Sequence, residues 1–206
     1  MYFLRFVFLG VFLITLNSCA SRYTTIEPQQ LNYISNDTQR DVKLEYKYEL
    51  LSKKYAKKED KKGIKVVAIK ITNNSENDFR FGDDLRVTYE NGNEVFIMEN
   101  DKVFKRLKQK PATHLFYLLL SPINIYYSDN SDPFQNDSKS FPVGLIIGPG
   151  ITATNMIISA SANKKFKNEL LQYNINGTII KSGETKYGLI GIKSDTYDAL
   201  RLKLID

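Results

Sequence analysis

Alternating apolar and polar positions predict β-strands in the first half of the chain and again at its end. Val42, Leu44, Tyr46, Tyr48 and Leu50 alternate with lysine and glutamate residues, which is the period of two of a half-buried strand. Residues 64–71 are apolar at most positions and rich in β-branched side chains, which favours a central strand. The same reasoning predicts further strands at residues 85–89, 95–98, 175–181, 187–193 and 200–205.

Short polar connections between these strands indicate antiparallel pairing. Asn91 and Gly92 both tolerate positive φ and lie between two apolar runs, so they predict a tight hairpin turn. The lysine-rich residues 52–62 are expected to form the solvated tip of a longer hairpin. Residues 20–41 are polar and contain Pro28, and we expect a flexible tether there rather than a packed element.

The middle of the chain changes to helical spacing. Asn100 or Asp101 can cap a helix whose apolar stripe includes Val103 and Leu107, and which ends before Pro111. The prediction is therefore a helical insertion that begins at about residue 100.

Two stretches without charged residues follow, at residues 111–128 and 140–163. We expect packed helices there, the second of which continues with helical spacing to about residue 173. Gly144, Gly148 and Gly150 predict a turn before that helix begins.

A membrane hairpin is the alternative for these two stretches. Basic residues lie on the outer side of both, as the positive-inside pattern requires. However, Ser121 and Pro122 interrupt the first stretch and Pro149 interrupts the second, so neither supplies about 20 continuous apolar residues. Two helices packed on the β-structure are therefore the expectation.

Together these patterns predict the α+β class, with one mainly antiparallel β-rich domain at 42–206 and a helical insertion at 100–173. The apolar strand that ends in Thr-Asn-Asn-Ser at 72–75, followed by the Asn-Gly hairpin, resembles the immunoglobulin-like β-sandwich domains of exported bacterial lipoproteins. The strands and Gly-containing turn near the end of the chain resemble them too. The resemblance covers about residues 42–99 and 174–206, and the helical middle departs from it.

The first 19 residues predict export and a lipid anchor. Arg5 precedes an apolar run at 6–16, which is typical of an export signal and too short to span a membrane. The run leads into Leu16, Asn17, Ser18 and Cys19, the only cysteine of the chain. This order of an aliphatic, a variable and a small residue before cysteine resembles the lipobox of bacterial lipoproteins. An ordinary export signal cut near the same small residues is the alternative.

The lipobox resemblance implies that residues 1–18 are a signal peptide, and that Cys19 carries two acyl chains on sulfur and one, such as palmitate, on its amino group. Residues 19–41 would then be the lipidated cysteine and its tether. Ala20 and Ser21, in place of an aspartate after the cysteine, imply the outer membrane. The absence of an acidic cluster after Cys19 implies the periplasmic face. The chain is also similar in character to uncharacterised Bacteroidota lipoproteins, a family with no assigned activity.

Positive charge is the remaining candidate chemistry. The net charge is +6, and export argues against nucleic acid as the partner. The densest cluster consists of Lys53, Lys54, Lys57, Lys58, Lys61 and Lys62 and is expected to be part of the solvated hairpin tip. Contact with an anionic surface such as lipid headgroups is the functional alternative.

The sequence contains no pattern that predicts a catalytic centre, a cofactor or a metal site. His114 is the sole histidine and lies among apolar residues, so we expect it to be a packing residue. The predicted function is a non-enzymatic structural or interaction role, with the membrane, through the lipid anchor, and an envelope protein as partners. The alternative is binding of a lipid or small apolar ligand between the sandwich and helices at 115–120 and 151–158, and an undetected enzyme is a third hypothesis.

Overall fold

The computed structural model describes residues 19–128 and 138–205. The predicted signal peptide at 1–18 and most of the polar loop after residue 128 lie outside the described residues.

The described residues form two compact units, and each is named here by its composition. Among the described residues, the apolar unit comprises 19–22, 109–128 and 138–162, and the β-rich unit comprises 23–108 and 163–205. The first and last parts of the predicted helical insertion therefore belong to the β-rich unit.

Eleven strands and three α-helices are described in these residues. The strands are β1 (Ser35–Gln39), β2 (Val42–Lys47), β3 (Ile64–Asn73), β4 (Phe79–Arg80), β5 (Leu85–Tyr89), β6 (Ile97–Met98), β7 (Ile125–Ser128), β8 (Ser138–Phe141), β9 (Ile179–Ile180), β10 (Thr185–Lys193) and β11 (Leu200–Leu204). The helices are α1 (Lys53–Lys62), α2 (Asn100–Leu107) and α3 (Val143–Gln172), with 3-10 helices at Pro28–Gln30 and Pro111–Leu120. The α+β class with antiparallel pairing of these strands is confirmed.

The main sheet of the β-rich unit has five strands in the order β1-β2-β3-β10-β6. The apolar strand β3 lies between β2 and β10, as its composition predicts, and its side chains are buried along almost its whole length. β2 buries Val42, Leu44 and Tyr46 and leaves the alternate residues partly exposed, which confirms the period of two as far as Lys47. The predicted continuation to Leu50 is wrong, because the strand ends at Lys47. The strands β5 and β11 form a second sheet.

The residues of these sheets share one hydrophobic core. Its most deeply buried members include Val42, Leu44, Val67, Ile69, Ile71, Phe81, Leu85, Ile180, Ile192 and Leu200. A separate aromatic cluster, defined as Tyr23, Tyr55, Phe104 and Phe166, lies where α1, α2 and α3 meet. The predicted stripe of α2 is confirmed, since Val103 and Leu107 are fully buried.

The predicted Asn-Gly turn is confirmed, but the hairpin that follows it is short. Gly92 has a φ of 85°, and the amide of Tyr89 donates to the carbonyl of Asn93 at 2.8 Å. After the turn the chain does not continue to pair with β5, because the next strand, β6, pairs with β10. β5 pairs instead with β11, more than 100 residues away along the chain.

The lysine-rich segment is a helix, so the prediction of a hairpin tip is wrong there. Lysine, alanine and glutamate are good helix formers, and Tyr55 and Glu59 lie four residues apart so that both are buried on one face of α1. Gly63 ends the helix in the left-handed conformation at a φ of 58°.

The prediction of an unpacked tether at residues 20–41 is wrong, because hydrogen bonds fix this segment from Ala20 onward. Tyr23 and Ile26 are buried, and β1 pairs with β2 along its whole length. The Tyr23 hydroxyl donates to Oε2 of Glu169 at 2.7 Å, and the Ile26 amide donates to the same oxygen at 3.0 Å. Burial raises the pKa of Glu169. The sequence did not predict this packing, because residues 20–41 are mostly polar and their few apolar residues have no regular spacing.

Because the carboxyl of Glu59 is buried, we expect the free energy of unfolding to fall as the pH rises. Its Oε1 accepts the amide of Val66 at 2.7 Å, and burial raises its pKa from 4.5 to about 7. Ionisation of Glu59 therefore costs more free energy in the folded chain than in the unfolded chain. The stability that the protonated carboxyl contributes is fully present below pH 4.5 and is lost as the pH rises through 7. Urea unfolding should show a loss of about 2 kcal/mol between about pH 5 and pH 7. Glu59→Gln should remove that part of the slope, and equal slopes in both proteins would contradict the prediction.

Candidate functional site

The residues after Cys19 are fixed to the apolar unit. Cys19 is exposed. The amide of Ala20 donates to Oδ1 of Asn155 at 2.7 Å. Ser21 exchanges two hydrogen bonds with the side chain of Gln109, from its amide at 3.0 Å and to its carbonyl at 2.6 Å. Cys19 therefore lies one residue from the first hydrogen bond to α3, with no spacer between them.

Large apolar side chains are exposed over the apolar unit. The six most exposed, here called the apolar surface, are Phe116, Leu119, Tyr126, Leu145, Ile146 and Ile157. Leu119 is 74% exposed and Ile146 is 65% exposed. The segments that carry most of them contain no charged residue. Large exposed apolar areas are rare on soluble monomers, so these side chains are a candidate interaction site.

The two helical segments that carry five of these six side chains are in close contact. The prediction of a turn at the three glycines is wrong, because α3 already begins at Val143 and continues through Pro149. A Cβ atom on Gly144 would lie 2.1 Å from the carbonyl oxygen of Leu120, at the end of the 3-10 helix. Gly148 lies against Tyr117 and Ser121 in the same way. The glycines therefore permit backbone contact, which is their role in GxxxG helix pairs.

Small and polar residues form the buried side of α3 in this unit. The buried positions are Gly144, Gly148, Thr152, Asn155, Ser159 and Ala162. The Thr152 hydroxyl contacts the carbonyl oxygens of His114 at 3.2 Å and Gly148 at 2.9 Å. Polar groups inside and large apolar groups outside are the reverse of the arrangement in a soluble core, and they are typical of helices packed in lipid.

One helix in the described part of the chain, α3, is long and apolar enough to cross a membrane by length and composition. Only 28% of its apolar 18-residue window is buried, so it differs from the core helix of a soluble protein. His114 is buried and stacks on Tyr117, as expected of a packing residue.

The six lysines of the predicted anionic-surface contact lie on α1, and their spacing places most of them on the side of the helix away from the buried Tyr55 and Glu59. The ammonium group of Lys58 donates to the carbonyl of Lys108. Lys62, at the end of the helix, lines a pocket of about 450 Å³ in the β-rich unit. Four further cations line that pocket, namely Lys102, Lys105, Arg106 and Lys193.

Sequence reasoning missed this basic pocket, because its cations come from three separate segments. The spacing of Lys102, Lys105 and Arg106 on one turn of α2 was the available signal. Phe96, Met98 and Ile64 complete the lining with apolar side chains. Such a pocket can accept an anionic group that carries an apolar part.

No group of three or more metal-ligating side chains occurs within residues 19–128 and 138–205. No protein-family model, curated protein or solved structure matches this chain.

Proposed function

We propose that the chain is a lipid-anchored, non-enzymatic envelope protein, acylated at Cys19 and facing the periplasm from the outer membrane. The observation that carries the proposal is the position of the only cysteine, directly after an apolar run and a small residue. The exposure of Cys19 supports it, because acyl chains on the sulfur must extend away from the protein into the membrane.

The β-rich unit is then the part that presents a structural or interaction surface to the periplasm. We assign it to the immunoglobulin-like β-sandwiches, because its five-stranded sheet and the β5-β11 sheet share one hydrophobic core. The α1 lysines Lys53, Lys54, Lys57 and Lys61, with Lys58 and Lys62, serve as contacts to anionic headgroups.

Binding of a small anionic amphiphile is the second candidate function. The basic pocket of about 450 Å³ favours it, since five cations and three apolar side chains line one opening.

Cys19→Ala is expected to abolish labelling of the protein by a palmitate analogue in cells. The substitution removes the sulfur that would carry the acyl chains, whereas Ser21→Ala keeps the cysteine and should retain full labelling. Gel fluorescence of the labelled protein measures both. Labelling that persists in the Cys19→Ala protein would refute the lipobox assignment.

A further inference from the structure

We propose that the apolar surface of the apolar unit lies among the acyl chains of the membrane leaflet that holds the anchor. The proposal rests on the proposed acylation of Cys19. It extends that function by assigning a second, non-covalent membrane contact to this chain. The ligand class is the hydrocarbon region of a lipid bilayer.

The composition of the surface favours lipid over a protein partner. Its six side chains are aliphatic or aromatic, and the segments at 111–128 and 140–163 contain no charge. A protein interface normally includes a polar and charged rim. The buried side chains of α3 in this unit are small or polar, and the large apolar side chains are exposed.

The position of the anchor provides an independent argument. Ala20 is hydrogen-bonded to Asn155, nine residues from Ile146 on the same helix. This separation is about 14 Å along the helix axis at about 1.5 Å per residue. It is comparable with half the hydrocarbon thickness of about 30 Å. Acyl chains on Cys19 and the side chain of Ile146 can therefore occupy the same leaflet.

The strands of this unit indicate contact with one leaflet rather than a membrane span. β7 and β8 form a two-stranded ribbon. The open edges of such a ribbon have backbone groups without partners, which the hydrocarbon region does not tolerate. The ribbon, with Tyr126 on β7, therefore lies at the level of the lipid headgroups, where tyrosine is common, and the other five side chains enter the leaflet. The apolar surface therefore enters the leaflet from one side.

Environment-sensitive fluorescence tests this placement without the anchor. The chain from residue 19 with Cys19→Ser has no other cysteine, so Leu119→Cys and Ile146→Cys each accept one nitrobenzoxadiazole label. Added to neutral phosphatidylcholine vesicles, both labels should shift to the blue and be quenched by lipids with nitroxide groups on their acyl chains. A label at Lys203→Cys, on an exposed position of β11, should do neither.

Vesicle flotation of unlabelled Cys19→Ser protein supplies the second measurement. The double variant Leu119→Asp, Ile146→Asp should bind about a hundredfold less, since each large apolar side chain contributes about a factor of ten. Ile34→Asp is the matched control, because Ile34 is 79% exposed on the β-rich unit and should not affect binding. Binding should persist in about 1 M NaCl, where charge attraction is screened.

Labels at Leu119 and Ile146 that do not respond to vesicles would overturn the proposal. So would an oligomer of the Cys19→Ser protein that dissociates in the double variant and ignores vesicles, because the apolar surface would then bind a second copy. Since this protein lacks the anchor, the result is independent of palmitate labelling. Loss of the lipobox assignment and loss of the membrane-contact proposal are therefore distinguishable.

Discussion

Phe166→Ala is expected to lower the free energy of unfolding of the β-rich unit by about 4 kcal/mol. Phe166 is fully buried in the aromatic cluster. Its ring centroid lies 5.1 Å from that of Tyr55 and 5.4 Å from that of Tyr23. Truncation removes these contacts and leaves a cavity that the rigid neighbouring rings fill poorly.

Urea unfolding followed by tyrosine fluorescence measures this effect. Leu171→Ala is the matched control on the same helix, because Leu171 is 54% exposed and should cost less than about 1 kcal/mol. A loss below about 1 kcal/mol for Phe166→Ala would show that the aromatic cluster does not stabilise the β-rich unit.

Gly144→Ala is expected to weaken the contact between α3 and the 3-10 helix by about 3 kcal/mol. The added Cβ would lie 2.1 Å from the Leu120 carbonyl and 2.7 Å from that of Ser121, both backbone atoms that no side-chain rotation can move away. Amide hydrogen exchange at residues 113–120, measured on the full chain in micelles, should become about a hundredfold faster.

Gly150→Ala separates this clash from a general effect of alanine on the helix. A Cβ at Gly150 meets no atom within 4 Å, so the variant should be neutral or more stable by up to about 1 kcal/mol. Equal exchange rates in the two variants would show that Gly144 does not carry the close contact.

Local pattern was sufficient wherever one periodicity extended over a whole element. β2 was predicted from its alternation, β3 from its continuous apolar run and α2 from its helical stripe. It failed for α1, because a lysine-rich helix with two buried side chains resembles a solvated loop in composition. It also failed at Gly144, where a glycine that serves a close contact is indistinguishable from one that serves a turn.

The candidate sites also differ in whether they depend on adjacent residues or on residues that folding brings together. The lipid-anchor hypothesis at Cys19 needs only adjacent residues and is therefore fully readable from sequence. The basic pocket could not be predicted, because Lys62, Lys105 and Lys193 approach each other only after folding. The apolar surface was ambiguous, since the same uncharged segments could have been buried.

The sequence by itself determined the β-rich character, the central position of β3 and the single cysteine available as an anchor, because these depend on local period and composition. Only the tertiary structure decided that β5 pairs with β11, that Tyr23 packs on α3, and that the large side chains around Ile146 face outward. The physical reason is that both properties depend on residues distant in sequence. A strand pairs with whichever segment folding brings beside it, and the exposed side of a helix is the one that no neighbouring element covers. In the apolar unit, small and polar residues occupy that inner side.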